Sequence, residues 1–310
     1  MKIAFVVPYF GKWPVWFPAF LKSCKENPAV QWIFFTDCEI PNDKPKNVDF
    51  HKSNLKEIQQ LASDKMGFEV VLDNPRKLCD LKPTYGDLFG EYLTEYDFWG
   101  FCDIDIIWGN IRGFITDNLL NEYDVITSLK GTISGHFTII RNNESNILLY
   151  KHNGIYKDVF EQQSYKWFDE NAFALIIGEL KLKNTISVYW EDELLDKGIE
   201  SVAHQEYVLD KWLYKKGKVY ELTESSVKEY MYLHFINWKK TMKNCEVKFA
   251  DSTDSFYISY SAIHYHSHSN FEKGFNIFNN LFDGYFVREK KRIFFKRLKK
   301  KFKRLYKLNL

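Results

Sequence analysis

The chain lacks several things that would place it quickly. It has no Cys-x-x-Cys pair, no glycine-rich phosphate loop and no apolar run long enough to span a bilayer. Its five cysteines, Cys24, Cys38, Cys79, Cys102 and Cys245, are odd in number and widely spaced. That excludes a zinc ribbon and a disulfide frame, and it points to reduced thiols in a cytosolic compartment. Near the first strand the only glycine is Gly11, followed by Lys12. This is too thin for a dinucleotide fingerprint or a P-loop, both of which need clustered glycines. No basic-then-apolar leader opens the sequence, because Ile3 to Phe10 is only strand-length, so neither a secretory signal nor a membrane-spanning helix is expected.

What is present is a chain of 310 residues, 45% hydrophobic and 27% charged, enough for one large α/β domain with a C-terminal extension. Aromatics reach 18%. Rings of that abundance fill cores, and Trp and Tyr also make flat platforms for sugars. The net charge of +2 hides an asymmetry: residues 288–310 hold twelve Lys or Arg against one acid, or +11, which leaves −9 on residues 1–287. The expected division is therefore a body over 1–287 and a basic amphipathic tail over 288–310. Read as a helix, the tail sets aromatics and leucines on one side and a cationic face on the other, as suits an anionic leaflet. RNA binding or a solvated end is the alternative.

Strands and helices alternate along the body. Ile3–Val7 is continuously apolar, as in a parallel strand buried on both faces. Pro8, Tyr9, Phe10 and Gly11 form the loop beyond it, where ligands of open α/β sheets bind, and Pro14–Cys24 reads as a helix. Val30–Phe35 is a second strand ending near Asp37, an acid placed either to accept hydrogen bonds from a ribose or base, or to start a turn. Val48–His51 is a short third strand. Asn54 caps a helix over Leu55–Met66, and Gly67 stops it. The spacing of Leu78, Leu81, Tyr85, Leu88, Phe89 and Tyr92 predicts a helix over Pro75–Leu93, carrying Asp80 and Lys82 near its start.

The segment Tyr96–Asn110, Y-D-F-W-G-F-C-D-I-D-I-I-W-G-N, contains the chain's single Asp-x-Asp. Read as a strand, it turns Asp103 and Asp105 to one face, where two carboxylates amid apolar residues require a cation or donors. Such oxygens suit Mg²⁺ or Mn²⁺, which in turn holds a diphosphate. Two acids capping a buried strand is the alternative reading. Further on, Tyr123–Thr127 is a short strand, and Gly131–Asn142 is a glycine-bearing loop entering a strand, with His136 at its mouth, either touching substrate or packed in the core. Ile147–Phe160 and Asn171–Leu180 read as helices. Asp169 and Glu170 precede the second of these, as caps or as a general base and acceptor contact. A helix is expected over His204–Tyr214, and His234 falls in an aromatic strand before Trp238, Lys239 and Lys240. His264, His266 and His268 alternate, but no acidic partner stands beside them, which argues against zinc.

Taken together, C-D-I-D-I-I-W-G, S-G-H-F-T-I-I-R-N, F-D-E-N and H-F-I-N-W-K-K, in that order, resemble a GT-A fold glycosyltransferase over roughly residues 1–245. The nearest resemblance is to bacterial capsule and lipopolysaccharide transferases related to the family 8 and family 32 enzymes. It implies a Rossmann-like mixed sheet flanked by helices, and a hexose moved from a nucleotide diphosphate-sugar, UDP-sugar by default, to a glycan or glycolipid acceptor. It implies Mn²⁺, or Mg²⁺, on Asp103, Asp105 and His234, with Lys239 and Lys82 meeting phosphate. Asp103, His136, Pro8, Tyr9, Phe10 and Asp37 would lie around the donor, with Asp169 and Glu170 facing donor sugar or acceptor. Where the family's late motif carries Lys-Pro, this chain has Lys239-Lys240, and where an Asp-Gln pair is common it has Asp169-Glu170. The implied setting is cytoplasmic, peripheral on the inner face of the cell membrane, without a nucleic-acid partner. A sugar nucleotidyltransferase and a non-catalytic glycan-binding peripheral protein are the two alternatives. If the tail is the anchor, deleting residues 288–310 releases the protein from anionic vesicles in a sedimentation assay, and persistent binding would place the anchor elsewhere.

Overall fold

The computed structural model describes residues 1–190, 212–222 and 227–283, together with Phe294 and Phe295. Its frame is a seven-stranded sheet in the order β3-β2-β1-β4-β7-β6-β8. Its strands are β1 (Ile3–Pro8), β2 (Val30–Thr36), β3 (Val48–Lys52), β4 (Phe98–Cys102), β6 (Val125–Thr127), β7 (Phe137–Arg141) and β8 (Val188–Tyr189), while β5 (Ile106–Trp108) stands outside it. β3, β2, β1 and β4 run parallel, and β7 then reverses direction against β4. A mixed α/β sheet flanked by helices is thus what the expected alternation of strands and helices produces.

The apolar run of β1 follows from its central place. Ile3, Phe5 and Val7 enter one core, whereas Ala4 and Val6 enter another on the opposite face. β2 divides in the same way, with Trp32 and Phe34 on one side and Ile33 and Phe35 on the other. A strand covered on both faces has no solvent side on which a polar residue would be cheap. The first core is closed by helix α1 (Phe17–Lys25) and by a second sheet, β11-β10-β9-β14-β15-β13. That sheet is formed by β9 (Trp212–Lys215), β10 (Lys218–Leu222), β11 (Val227–Tyr230), β13 (Asn244–Cys245), β14 (Ser255–Ile258) and β15 (Ala262–His264). The other core is closed by helix α2 (Leu55–Met66) and by the helix Ala172–Leu182.

Helix α2 starts and stops where its sequence says. Asn54 accepts from the backbone of Lys56 and Glu57 while Glu57 reaches back to it, and Gly67 ends the helix at φ 75°. Elsewhere, expectation and structure part. Segment 75–93 is a succession of short α and 3-10 turns, not one helix. Its apolar spacing is real, since Leu78, Leu81, Tyr85, Leu88 and Phe89 are all buried, but Pro83 removes a donor and crowds the preceding turn. Segment 147–160 is interrupted in the same way, with Gly154 at φ 74°. Of the helix expected over 204–214, residues 204–211 lie outside the described residues, and Trp212–Tyr214 belong to β9, where burial of the aromatic rings of Trp212 and Tyr214 against the first core outweighs helical spacing. The three alternating histidines do not share a strand face: β15 ends at His264, whose ring stacks on His268 at 3.8 Å. Of the tail, only Phe294 and Phe295 are described, both exposed.

One ion pair inside the second core ties distant segments together. Lys77 Nζ meets Asp80 Oδ2 at 2.9 Å with side-chain exposures of 1% and 0%. The same ammonium donates to the carbonyls of Val159 and Ser164, and the carboxylate accepts from the backbone N–H of Lys166 and Phe168. Asp80 is therefore a buried tether, its partners Lys77 and the backbone of loop 164–170. It fastens loop 164–170 to segment 75–93. Asp80→Ala strands a buried ammonium, so it should cost about 3–5 kcal/mol in denaturant unfolding. A loss under about 1 kcal/mol would show that the pair does not hold this loop.

Candidate active site at the strand ends

Asp103 and Asp105 do not lie in a strand. β4 ends at Cys102 and β5 begins at Ile106, so both acids occupy the bend between them. The carboxylates approach one another because the chain turns, and not because they alternate along a strand, with the Asp103 N–H held by the His136 carbonyl at 3.2 Å and the Ile104 carbonyl by Trp16 Nε1 at 2.9 Å. His234 arrives through β12 (Tyr232–His234), which pairs antiparallel with β5 and sets His234 opposite Ile106. The ladder continues past its end, where the Phe235 N–H donates to the Asp105 carbonyl at 3.0 Å. Gly109 permits this close approach, because a Cβ there would stand 2.5 Å from the Tyr230 carbonyl oxygen.

These pairings converge on one cluster. One ligand atom each from Asp103, Asp105 and His234 lies within 4.8 Å of the others. His234 Nε2 stands 3.4 Å from Asp105 Oδ2, and Lys239 Nζ, from the 3-10 turn Ile236–Lys240, stands 2.9 Å from the same oxygen. Lys82 Nζ lies 2.6 Å from Asp103 Oδ1 and donates to the Gly135 carbonyl at 2.6 Å. Two carboxylates and an imidazole form a donor set suited to a divalent cation, and the two flanking ammoniums suit a phosphate beside it.

Burial alone would raise the pKa of Asp105, which is 1% exposed, but the Lys239 ammonium and His234 outweigh it and hold the carboxyl well below the usual range. Burial would likewise lower Lys82, yet Asp103 keeps it well above an ordinary lysine. Lys239 is raised too, burial opposing and Asp105 prevailing. Both ammoniums therefore stay charged at neutral pH.

A cavity of about 600 Å³ opens over this cluster, lined by Pro8, Tyr9, Phe10, Lys82, Asp103, Asp105, Asp169, Glu170 and Lys239 among others. Eight of the residues proposed from sequence as donor, metal or acceptor contacts thus reach it together with Asp105. Three stand differently. Asp37 is exposed and accepts from the Gly11 N–H at 2.7 Å, fastening the loop after β1 and not lining the cavity. His136 packs behind His234, rings stacked at 4.0 Å, with Nε2 2.7 Å from the Tyr232 hydroxyl and Nδ1 3.0 Å from Ser134 Oγ. Burial, then the neighbouring His234, drives the His136 pKa well below its ordinary value, so the ring is neutral support for the cluster. His234 itself meets the cluster from below the lining.

Asp169 is buried at 1% exposure, and its Oδ1 has no hydrogen-bond partner among the described residues. Burial raises its pKa to about 7, against the pull of Lys82 and with further push from Glu170. Gly135 is its close neighbour: a Cβ there would lie 2.7 Å from Asp169 Oδ2 and 2.8 Å from Glu170 Oε1, and the Gly135 N–H donates to Glu170. The glycine-bearing loop seen in the sequence thus lets two acids approach its backbone. Sequence reading passed over Arg76, Cys79, Tyr165 and Trp167 as site residues, although all four line the cavity. Trp167 and Phe168 are adjacent aromatics that look alike in the sequence, but Phe168 is buried while Trp167 stands at the rim.

A parallel sheet extended by reversed strands, with acids and ammoniums gathered around a cavity beyond its strand ends, defines a mixed α/β protein. The chain belongs to a family of unknown function, DUF6625, whose profile matches residues 5–267. No curated protein matches the sequence. One solved structure to which it is similar is the galactosyltransferase LgtC in complex with donor and acceptor sugar analogues. That similarity stands at 12% identity over 63% of this chain and 69% of that one, with a TM-score of 0.26.

The raised pKa of Asp169 is a statement about stability. Its folded value, about 7, exceeds the unfolded carboxylate value, so the fold loses stability as pH rises from about 4 to 7. The loss is on the order of 3–4 kcal/mol above pH 7. Asp169→Asn, which cannot ionise, should therefore melt higher than the wild type at pH 8, with the gap closing toward pH 4. A lower Tm at pH 8 would show that the carboxylate is not strained there.

Proposed function

We propose that this protein is a metal-dependent glycosyltransferase, which moves a hexose from a nucleotide diphosphate-sugar, UDP-sugar by default, to a surface-glycan acceptor. The observation that carries the reading is the convergence of Asp103, Asp105 and His234, from a bend and a strand far apart in sequence, between the ammoniums of Lys82 and Lys239. The oxygen, oxygen and nitrogen donors favour Mn²⁺ over Mg²⁺, whose preferred shell is all oxygen. When bound there, the cation supplies Lewis-acid stabilisation of the leaving diphosphate.

The remaining work falls to the side chains. Lys82 and Lys239 meet phosphate oxygens as fixed point charges that need no reorganisation during the reaction. The loop Pro8–Phe10 frames the nucleoside, and Asp37 holds that loop in place through Gly11. In the transfer step the acceptor hydroxyl oxygen bonds to the anomeric carbon while the bond from that carbon to the diphosphate breaks. The electron pair leaves on the β-phosphate oxygen, and the hydroxyl proton passes to Asp169. A carboxylate with a pKa of about 7 is a better proton acceptor at neutral pH than an ordinary one. Glu170, anchored on the Gly135 N–H, lines the same cavity and orients the acceptor.

No helix among the described residues is long and apolar enough to cross a membrane. In this reading the basic tail holds the enzyme on the cytoplasmic face of an anionic membrane, beside a lipid-linked acceptor. Calorimetry tests the central claim: UDP should bind with Mn²⁺ present and lose that binding in EDTA, and Asp105→Ala should abolish both the Mn²⁺-dependent binding and nucleotide-sugar hydrolysis. Turnover in Asp105→Ala equal to the wild type would remove the metal assignment, and binding of UDP indifferent to the metal would remove the mechanism.

A further inference from the structure

Trp167 is left unexplained by the donor site. Its backbone sits at φ 56°, a left-handed conformation that costs a residue with a Cβ roughly 1–2 kcal/mol, and the indole is 46% exposed. The strain is held by the residues on either side, because the N–H groups of Lys166 and Phe168 are both bound to buried Asp80. A large apolar ring is thereby kept out in solvent at the cavity rim, against its own preference. Tyr165 joins it, with ring centroids 4.5 Å apart. The Arg76 guanidinium lies 5.2 Å from the Tyr165 ring centre and 5.9 Å from that of Trp167.

The three residues line the same cavity as the metal cluster. Of the cavity's cations, Lys82 and Lys239 each pair with a carboxylate, whereas the neighbours of Arg76 are the two rings, with no carboxylate in ion-pair reach among the described residues. Arg76 is thus the cavity cation not already committed to an acid. A guanidinium stacked on aromatic faces is desolvated on one side and keeps its in-plane donors for a carboxylate or a phosphate. The rings beside it suit the C–H face of a sugar.

We propose that Arg76, Tyr165 and Trp167 form the acceptor subsite and that it selects a saccharide bearing an anionic group, a carboxylate or a phosphate. This rests on the transferase reading. Trp167 stands two residues before Asp169, so a sugar resting on the rings brings a neighbouring hydroxyl to the proposed proton acceptor, while its anion meets Arg76.

The test uses the full chain saturated with UDP and Mn²⁺ and three matched probes: methyl β-glucoside, methyl β-glucuronoside and methyl β-glucoside 6-phosphate. Either acidic probe should bind more tightly than the neutral one by on the order of 10-fold, and which of them does so identifies the anion's source. Arg76→Ala should remove that preference and Arg76→Lys should retain part of it, whereas Trp167→Ala should weaken all three probes. Equal binding of the three, a preference that survives Arg76→Ala, or no binding of any probe would overturn the subsite. UDP binding with and without Mn²⁺, recorded in the same series on the wild type, reports separately on the transferase reading. All three substitutions fall at two exposed positions, and a thermal melt of each variant distinguishes lost recognition from lost folding.

Discussion

The short ladder between β5 and β12 is what the site depends on. Without that pairing, Asp105 would be a buried carboxylate with nothing to offset its desolvation. With it, an imidazole and an ammonium from more than a hundred residues away are delivered to one oxygen. The pairing also works as a register lock. A shift of one residue would turn His234 to the other face of the ribbon, so the same backbone hydrogen bonds that build the ladder decide whether the cluster exists.

Around that cluster the electrostatics are arranged in two opposed ways. Asp105 is held ionised by the Lys239 ammonium and His234, whereas Asp169, crowded with Glu170 against a glycine, is pushed toward neutrality by burial. Two kinds of carboxylate within one cavity, one fixed in its charge and one poised to change it, suit a site that must hold an anion and accept a proton in the same event. The divergence comes from neighbours, since the side chains are chemically the same.

Local chemistry explains how much could be read beforehand. The cap and stop of α2 were legible because Asn54, Glu57 and Gly67 act within a few residues of one another. β1 and β2 were legible because burial on both faces leaves an unbroken apolar run. The Asp-x-Asp was found, but by an argument that assumed an extended strand, where the chain in fact bends. In segment 75–93 the apolar spacing marks the buried face correctly, but Pro83 breaks the single helix that this spacing alone predicts. What no local pattern could supply was the hold of the Lys77–Asp80 pair on loop 164–170, or the outward pose of Trp167. Both depend on where loop 164–170 crosses segment 75–93, and a contact between segments some 80 residues apart leaves no periodicity to detect.

The Lys77–Asp80 pair has a consequence for how this architecture can diversify. It forms a stem, dry and fully hydrogen-bonded, from which Arg76 on one side and Tyr165 and Trp167 on the other project as tips. Tips exposed to solvent tolerate replacement, whereas the stem does not. A lineage built on this stem can exchange its rim one side chain at a time while Asp103, Asp105 and His234 behind it are left untouched.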